Sequence, residues 1–324
     1  MNVRLERLLG ADELAEELRR EAREGLTATR KRMRSRWLWD ARGAAIYERI
    51  MRLPDYYLPH AERAILEMRA GEIAAFARPN TVIELGSGSS ARTTILLDAL
   101  PELERFVAID VSESALADAA PRLAARYPHI EVVAVVGDFE RHLEASDGET
   151  LVVCLGSTIG ALDPDDRAAL LAAVTGVLGA HGALLLGLDL VKPVERILAA
   201  YNDAEGLSAA LIANLLHVLN RQLGADFRPE RFRPEAAWNS ELERMEMVVR
   251  SLEGQTVTLP AIDLAVEFAE GETLRTEIST KFRRDGAEAE LRAASLRLDA
   301  WWTDEAGDFA LCLARPFSER PHAV

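Results

Sequence analysis

The segment Thr81–Leu85 reads as a strand, and the residues that follow it, in ELGSGSSA, set Gly86, Gly88 and Ala91 at the spacing G-x-G-x-x-A. Between a strand and a helix such a loop lets backbone N–H groups approach a ligand closely, because glycine carries no Cβ to hold it off. Two more strand ends bring side chains to the same edge. Asp110 closes RFVAID, where a carboxylate can accept hydrogen bonds from vicinal ribose hydroxyls. Asp138 and Phe139 close VVGDF; the carboxylate can accept from an adenine amino group and the ring can lie against the base. The plainer alternatives are an empty βα turn for the glycines, a helix N-cap for Asp138 and a core ring for Phe139. Three strand ends on the carboxyl edge of one sheet nevertheless converge on one crevice, and that convergence points to a nucleoside ligand. Glu84 stands directly before the loop. A carboxylate there repels a pyrophosphate and suits a cationic amino-acid moiety, and the chain shows no dehydrogenase-like Tyr-x-x-x-Lys pair.

The elements that must position these residues are legible from texture. TVIEL, RFVAID, IEVVAVVGD, LVVCLGS and GALLLGLDL read as strands. SSARTTILLDAL, SESALADAAPRLAARY and DDRAALLAAVTGVLGA read as the helices between them. Near-continuous apolar strands alternating with helices predict a parallel sheet covered on both faces. Before this region lie an amphipathic helix over 11–25, an aromatic stretch bearing Trp37, Trp39, Tyr47, Tyr56 and Tyr57, and a helix over 61–75. After Val191 the alternation stops. ILAAYNDAEGLSAALIANLLHVLNRQLG reads as helical, and 238–282 as β with hairpin-like turns. From Glu290 on, helix, strand, turn and strand return. The expected architecture is therefore α/β with a doubly wound sheet over 61–190 and 282–324, and a second, discontinuous α+β lobe from 8–60 and 191–281.

At 324 residues the length fits two domains of about 150 residues each. A formal net charge of −15 repels phosphate backbones and anionic lipid, so neither nucleic acid nor a membrane is expected as partner. Cys154 and Cys312 sit in apolar runs and read as free buried thiols. Two cysteines and six histidines without ligand spacing give no metal site. The charged N-terminus lacks the apolar core of a signal peptide, and no apolar run has the length of a membrane span. A cytoplasmic protein, monomeric and acting on a small molecule, is expected.

The order acidic–Leu–Gly–x–Gly, strand-end Asp, then Gly–Asp–Phe resembles the motif series of class I S-adenosylmethionine-dependent methyltransferases, whose Rossmann-like sheet matches the one predicted. A longer series extends the likeness: LPDYYLPHAERAIL, IELGSGSSARTTILL, GDFERHL, LGSTIG, GLDLVK, AAYNDAEG, WNSELERMEM, TEISTKF and WWTDEAGDF. Spread from residue 53 to residue 309, these stretches resemble the histidine-specific Nα-methyltransferases of ergothioneine biosynthesis. The resemblance implies trimethylation of the α-amine of L-histidine to hercynine, with S-adenosylmethionine as donor and S-adenosylhomocysteine as product. It puts the donor site on Gly86, Arg92, Asp110, Asp138 and Phe139, joining Glu84 and Gly88 of the loop already read as cofactor-binding. It puts the histidine site on Tyr56, Tyr201, Glu277 and Ser279, with Ala161 at a further substrate-binding position; Met247 is expected against the ring, or else as a plain core methionine. Glu277 and Ser279 alternate on TEIST and so share a strand face. One carboxylate and one hydroxyl there can pair both imidazole nitrogens; the alternative is a solvent-facing polar strand face. Trp39, Tyr47 and Tyr56 are expected as an aromatic wall that tolerates the quaternary ammonium product, or in part as residues that only pack the lobe.

Two departures from the family pattern stand out. Where the family has the Asn that holds the amino-acid end of the substrate, this chain has Ala161, which offers no hydrogen bond. Trp39 and Tyr47 stand where the family commonly shows Tyr and Phe. Ala161 leaves open a methyltransferase of another amino acid such as tryptophan, a histidine enzyme of weakened turnover, and a donor-binding protein without turnover. A nicotinamide-dependent oxidoreductase is the remaining alternative.

Overall fold

The computed structural model of the chain describes residues 3–144 and 149–317. The last seven residues of the 282–324 segment lie outside the described residues. In chain order the strands are β1 (Val3–Arg7), β2 (Thr81–Leu85), β3 (Arg105–Asp110), β4 (Glu131–Val136), β5 (Thr150–Cys154), β6 (Ala183–Asp189), β7 (Phe232–Asn239), β8 (Arg244–Ser251), β9 (Gln255–Leu259), β10 (Leu264–Phe268), β11 (Thr273–Thr280), β12 (Leu296–Thr303) and β13 (Phe309–Pro316). The helices are α1 (Ala11–Thr27), α2 (Ala41–Ile50), α3 (Leu58–Ala77), α4 (Thr93–Asp98), α5 (Glu113–Arg126), α6 (Pro164–Leu178), α7 (Val194–Tyr201), α8 (Leu207–Leu223) and α9 (Arg284–Ala293). They gather into two compact units, one of Met1–Leu8, Leu58–Val191 and Lys281–Val324, the other of Leu9–Tyr57 and Lys192–Thr280.

The first unit is built on an eight-stranded sheet of order β1-β4-β3-β2-β5-β6-β13-β12. From β1 to β6 all neighbours run parallel, and β13 and β12 close the sheet antiparallel. Every residue of β2, β5 and β6 is buried, as continuous apolar strands covered on two faces must be. The chain leaves β2 towards β3 on one side and later returns to β5 on the other. The carboxyl ends of β2 and β5 thus flank the point where strand order reverses, which is where an open α/β sheet offers its ligand crevice. Ser112 caps α5 by accepting from the Ala115 N–H, and Pro164 opens α6, where its missing N–H costs nothing. The α4 helix is shorter than the helical segment read over 89–100, because the loop after β2 takes up residues to Arg92. Strand β1 is not among the strands expected from the sequence. It lies at the edge of the sheet, its alternation of charged and apolar side chains is half-exposed, and only backbone pairing with β4 defines it. Cys154 and Cys312 are buried free thiols, and burial pushes both up to about 12, so neither offers a thiolate at neutral pH.

The second unit combines α1, α2, α7 and α8 with a three-stranded antiparallel sheet of order β11-β8-β7 and the β9–β10 hairpin. The α8 stripe Leu207, Leu211, Leu215 and Leu219 is buried at the i, i+4 spacing of one helix face. The stretch 197–224, read as helical throughout, breaks between α7 and α8. Asp203 accepts from the Leu207 and Ser208 N–H groups at 2.9 and 2.7 Å, and Gly206 takes φ +71°, so the sequence carries its own stop and start signal. Phe268 meets Phe227 and Phe232 edge to face, and Phe227 and Phe232 are tilted against each other.

One irregularity decides which side chains share a face in this unit. The β11–β8 register shifts between Arg275 and Glu277. Before the shift Leu274 lies opposite Val249; after it, Glu277 lies opposite Met247 and Ser279 opposite Met245. Val249, Met247 and Met245 are the buried face of β8. Because side chains alternate with period two, one extra residue moves the following side chains to the other face. The bulge therefore turns Glu277 and Ser279 onto the methionine face.

Candidate active site

In the first unit the β2–α4 loop forms the expected cradle. Gly86 and Gly88 adopt φ +65° and +49°, a region costly for a residue with a Cβ. The Gly86 N–H donates to the Ile109 carbonyl at 2.9 Å, tying the loop to β3. A Cβ on Gly86 would stand 3.3 Å from Thr158 Cγ2 and 3.6 Å from the Phe139 ring, so the bare glycine backbone is flanked by a methyl group and an aromatic edge. Asp110 accepts from the Gly88 N–H through Oδ2 and from the Ser112 N–H through Oδ1, both at 2.8 Å. It thus fastens the glycine loop from the next strand end, and a carboxylate keeps further lone pairs beyond these two bonds. Burial raises its pKa, while backbone N–H donors pull the other way. Asp138 is buried, and its Oδ1 accepts from the Glu140 N–H at 3.0 Å, which closes a turn; among the described residues no helix starts there, so it is not the N-cap that was the alternative. Phe139 packs partly against the sheet core as well as beside Gly86.

Glu84 lies under this loop. Its Oε2 accepts from Ser90 Oγ at 2.8 Å, and its Oε1 accepts from the Thr93 hydroxyl. Burial, only partly offset by those hydroxyls, pushes its carboxyl up to about 7. A folded-state pKa above the unfolded 4.5 means that the folded protein holds a proton the unfolded chain has released. Stability should therefore fall as pH rises from about 4.5 to about 7 and level off above. Glu84→Gln, which keeps the shape without the charge, should flatten that slope in denaturant melts at pH 5, 6, 7 and 8. An unchanged slope would contradict this.

Arg92 ends the loop, with Nε 2.6 Å from Glu62 Oε2 and the side chain 24% exposed. Ala161 also belongs to this unit. It is the last residue of a 3-10 turn, Thr158–Ala161, after β5, and is half-buried. That turn is pinned to the end of β6 where the Asp189 N–H donates to Ser157 Oγ at 3.0 Å. Bare glycine backbone, a strand-end carboxylate, an aromatic edge and a cation at one sheet edge fit a nucleoside that carries an amino acid.

The second unit assembles the other set. Trp39 meets Tyr47 edge to face at 5.1 Å, Tyr47 meets Tyr56 at 6.1 Å, and Tyr56 meets Tyr201 at 6.1 Å. The Tyr47 and Tyr56 hydroxyls lie 3.4 Å apart, and the Tyr201 and Ser279 hydroxyls share a hydrogen bond of 2.8 Å. Burial first, then Tyr47, Tyr201 and Glu277, hold the Tyr56 phenol well above its ordinary pKa. It stays protonated at neutral pH and can relay a proton only through its hydroxyl, never as a standing phenolate. Met247 is buried opposite Glu277.

The framework behind this row is specific. Asn214, fully buried on α8, donates to the Leu38 carbonyl at 3.1 Å and to Asp40 Oδ1 at 2.7 Å, bracketing Trp39. Asp40 caps α2 through the Gly43 N–H, and Gly43 is glycine because a Cβ would collide with the Leu38 carbonyl. Next to Tyr56, the Tyr57 ring has Lys192 Nζ 3.9 Å and Arg196 5.1 Å from its centroid, and Lys192 donates to its hydroxyl at 2.7 Å.

Sequence reasoning missed Asn214, Ser157 and Glu62. Glu62 had a signal. It falls on the stripe Leu58, Ala61, Glu62, Ile65, Leu66, an inward position where a carboxylate needs a partner. Among the described residues no group of three or more His, Cys, Asp and Glu could hold a metal ion, and no helix is long and apolar enough to cross a membrane.

Known proteins supply the comparison. The family model for the histidine-specific methyltransferase, SAM-dependent, matches residues 18–316. The histidine N-alpha-methyltransferase of Mycolicibacterium smegmatis is 47% identical over 319 residues, 97% of this chain and 99% of that protein. Its namesake in Mycobacterium tuberculosis is 45% identical over the same coverage. A 4-dimethylallyltryptophan N-methyltransferase of Epichloe festucae var. lolii is 27% identical, over 79% of this chain and 83% of that protein. With the family model spanning both units and the glycine loop, the strand-end aspartates and TEIST all inside it, the chain belongs to the S-adenosylmethionine-dependent, histidine-specific methyltransferase family.

Proposed function

We propose that the protein methylates the α-amine of free L-histidine three times, giving Nα,Nα,Nα-trimethylhistidine (hercynine), as in ergothioneine biosynthesis. The observation that carries the choice of substrate is the bulged strand. It sets Glu277 and Ser279 on one face with Met247, a carboxylate and a hydroxyl beside a soft apolar surface, which is the chemistry an imidazole asks for. The tryptophan-type relative is far less similar, and an indole has one N–H donor and no acceptor to use both groups.

The donor is held by Gly86 and Gly88, with Asp110 on the ribose, Asp138 and Phe139 at the base, Arg92 on the carboxylate and Glu84 bracing the loop from below. Bound there, S-adenosylmethionine supplies an electrophilic methyl group on a sulfonium. The chain's own task is alignment, because a neutral amine attacking in line needs proximity above all. Glu277 and Ser279 hold the ring, and Tyr201 orients Ser279. The amine must arrive unprotonated; with Tyr56 held as the phenol, its proton leaves through that hydroxyl to solvent. The faces of Trp39, Tyr47 and Tyr56 accept the growing cation without demanding a hydrogen-bond acceptor. As part of the same proposal the protein works as a cytoplasmic monomer, without nucleic acid or membrane as partner, a reading its charge of −15 supports.

Tyr56→Ala tests the aromatic wall. Removing both ring and hydroxyl should lower kcat/KM for histidine by about a hundredfold or more while S-adenosylhomocysteine binds within about twofold of wild type. Calorimetry beside initial rates reads both, and an equal loss in the two would contradict the assignment.

A further inference from the structure

Glu62 is a charged side chain in a place that ordinarily takes leucine. It lies on the buried stripe of α3 with Ile65, Leu66 and Ile73, and it is fully shielded from solvent. Three segments converge on its carboxylate. Oε2 pairs with Arg92 Nε at 2.6 Å, Oε1 accepts from the Gly156 N–H at 2.7 Å, and a Cβ on Gly187, in the interior of β6, would collide with Oε1. Gly156 itself takes φ +72°, and a Cβ there would stand 3.1 Å from Arg92 Nη2. Two glycines thus clear the space for one carboxylate and its guanidinium. A glycine inside a strand weakens it and commonly marks a close approach by another group. A buried ion pair is weak evidence for stability, since apolar residues of similar volume often do as well. Its presence beside the glycine loop calls for a role other than stability.

We propose that Glu62 is a positioning residue of the donor site: it holds Arg92 in a buried ion pair and so fixes the orientation in which the guanidinium meets the donor's carboxylate. This rests on the reading that Arg92 receives that carboxylate. The planar fork of a guanidinium binds a carboxylate well only in a narrow set of orientations. Arg92, at the end of a loop and 24% exposed, would otherwise sample many. The helix, the β5 exit and the interior of β6 lend their rigidity through Glu62. Burial raises the carboxyl's pKa, and the Arg92 charge and the Gly156 N–H work to keep it ionised. Glu84 is near enough to be influenced by both Arg92 and Glu62, so the pair also sets the field under the loop.

The test compares two probes on wild type, Glu62→Gln, Glu62→Asp, Arg92→Ala and the double variant Glu62→Gln/Arg92→Ala. S-adenosylhomocysteine carries the amino-acid carboxylate and adenosine does not. Arg92→Ala is expected to weaken S-adenosylhomocysteine about 30-fold and adenosine less than about twofold. Glu62→Gln and Glu62→Asp should each weaken S-adenosylhomocysteine about 10-fold, again sparing adenosine, and the double variant should be no weaker than Arg92→Ala alone. Retained adenosine binding shows that the crevice is folded, a readout that a purely structural role would not spare. If Arg92→Ala weakens S-adenosylhomocysteine but both Glu62 variants bind it as wild type does, the positioning role is overturned and the donor reading stands. Equal loss of both probes, or a further loss in the double variant, also overturns it. If Arg92→Ala leaves S-adenosylhomocysteine unaffected, the assignment of Arg92 falls, and the proposal with it.

Discussion

Replacing Glu277 with alanine is expected to lower kcat/KM for histidine by about two to three powers of ten while leaving S-adenosylhomocysteine affinity within about twofold. The carboxylate stands on the face that the β11 bulge turns towards Met247. A hydrogen bond to a charged group contributes about 1.5–3 kcal/mol, and the imidazole N–H left without a partner loses about 1–3 kcal/mol more. Tyr56 also feels Glu277, whose charge helps to keep its phenol protonated. The same change should therefore lower the pKa of Tyr56, visible in ultraviolet titration at high pH. Initial rates with histidine beside donor calorimetry decide the matter. A drop smaller than about threefold, or a matching loss of donor binding, would remove Glu277 from the substrate site.

The converse experiment adds a group. Ala161→Asn should tighten histidine binding about 10- to 100-fold, because an amide at this position supplies a donor and an acceptor for the charged amino-acid end of the substrate. Ala161 is half-buried at the end of its 3-10 turn, and Ser157 and Asp189 hold that turn. Isothermal titration of histidine into protein loaded with S-adenosylhomocysteine reads the change. An unaltered or weaker affinity would mean that another side chain of this chain already anchors the amine and carboxylate, and that the methyl of Ala161 belongs to a site of different shape.

How much of the fold and of the site is legible in the sequence depends on what kind of signal each part leaves. The parallel sheet announces itself because buried strands such as TVIEL and ALLLGLD are apolar along their whole length. The glycine loop does so because Gly86 and Gly88 sit where φ must be positive. The edge strand β1 leaves no such trace, being half-exposed and polar on alternate residues. The break between α7 and α8 is written as Asp203 and Gly206, but apolar periodicity on either side hides it. The bulge in β11 is invisible locally. It exists only in the register against β8, and a strand's register is a property of two segments distant in sequence. The partners of the site residues are harder still. Glu62 with Gly187, and Asn214 with Leu38, are pairs whose members lie far apart along the chain. Alone, Glu62 and Asn214 read as polar residues on apolar helix faces, and Gly187 as a glycine in a strand.

The central claim is that this chain trimethylates histidine in preference to other amino acids. Its most direct test is mass spectrometry of products formed by the purified protein from S-adenosylmethionine and a panel of free amino acids offered together. One product is expected, histidine heavier by three methylene masses, with S-adenosylhomocysteine formed in threefold excess over it. Methylated tryptophan or another amino acid as the main product, or donor binding with no methylated product from any member of the panel, would contradict it.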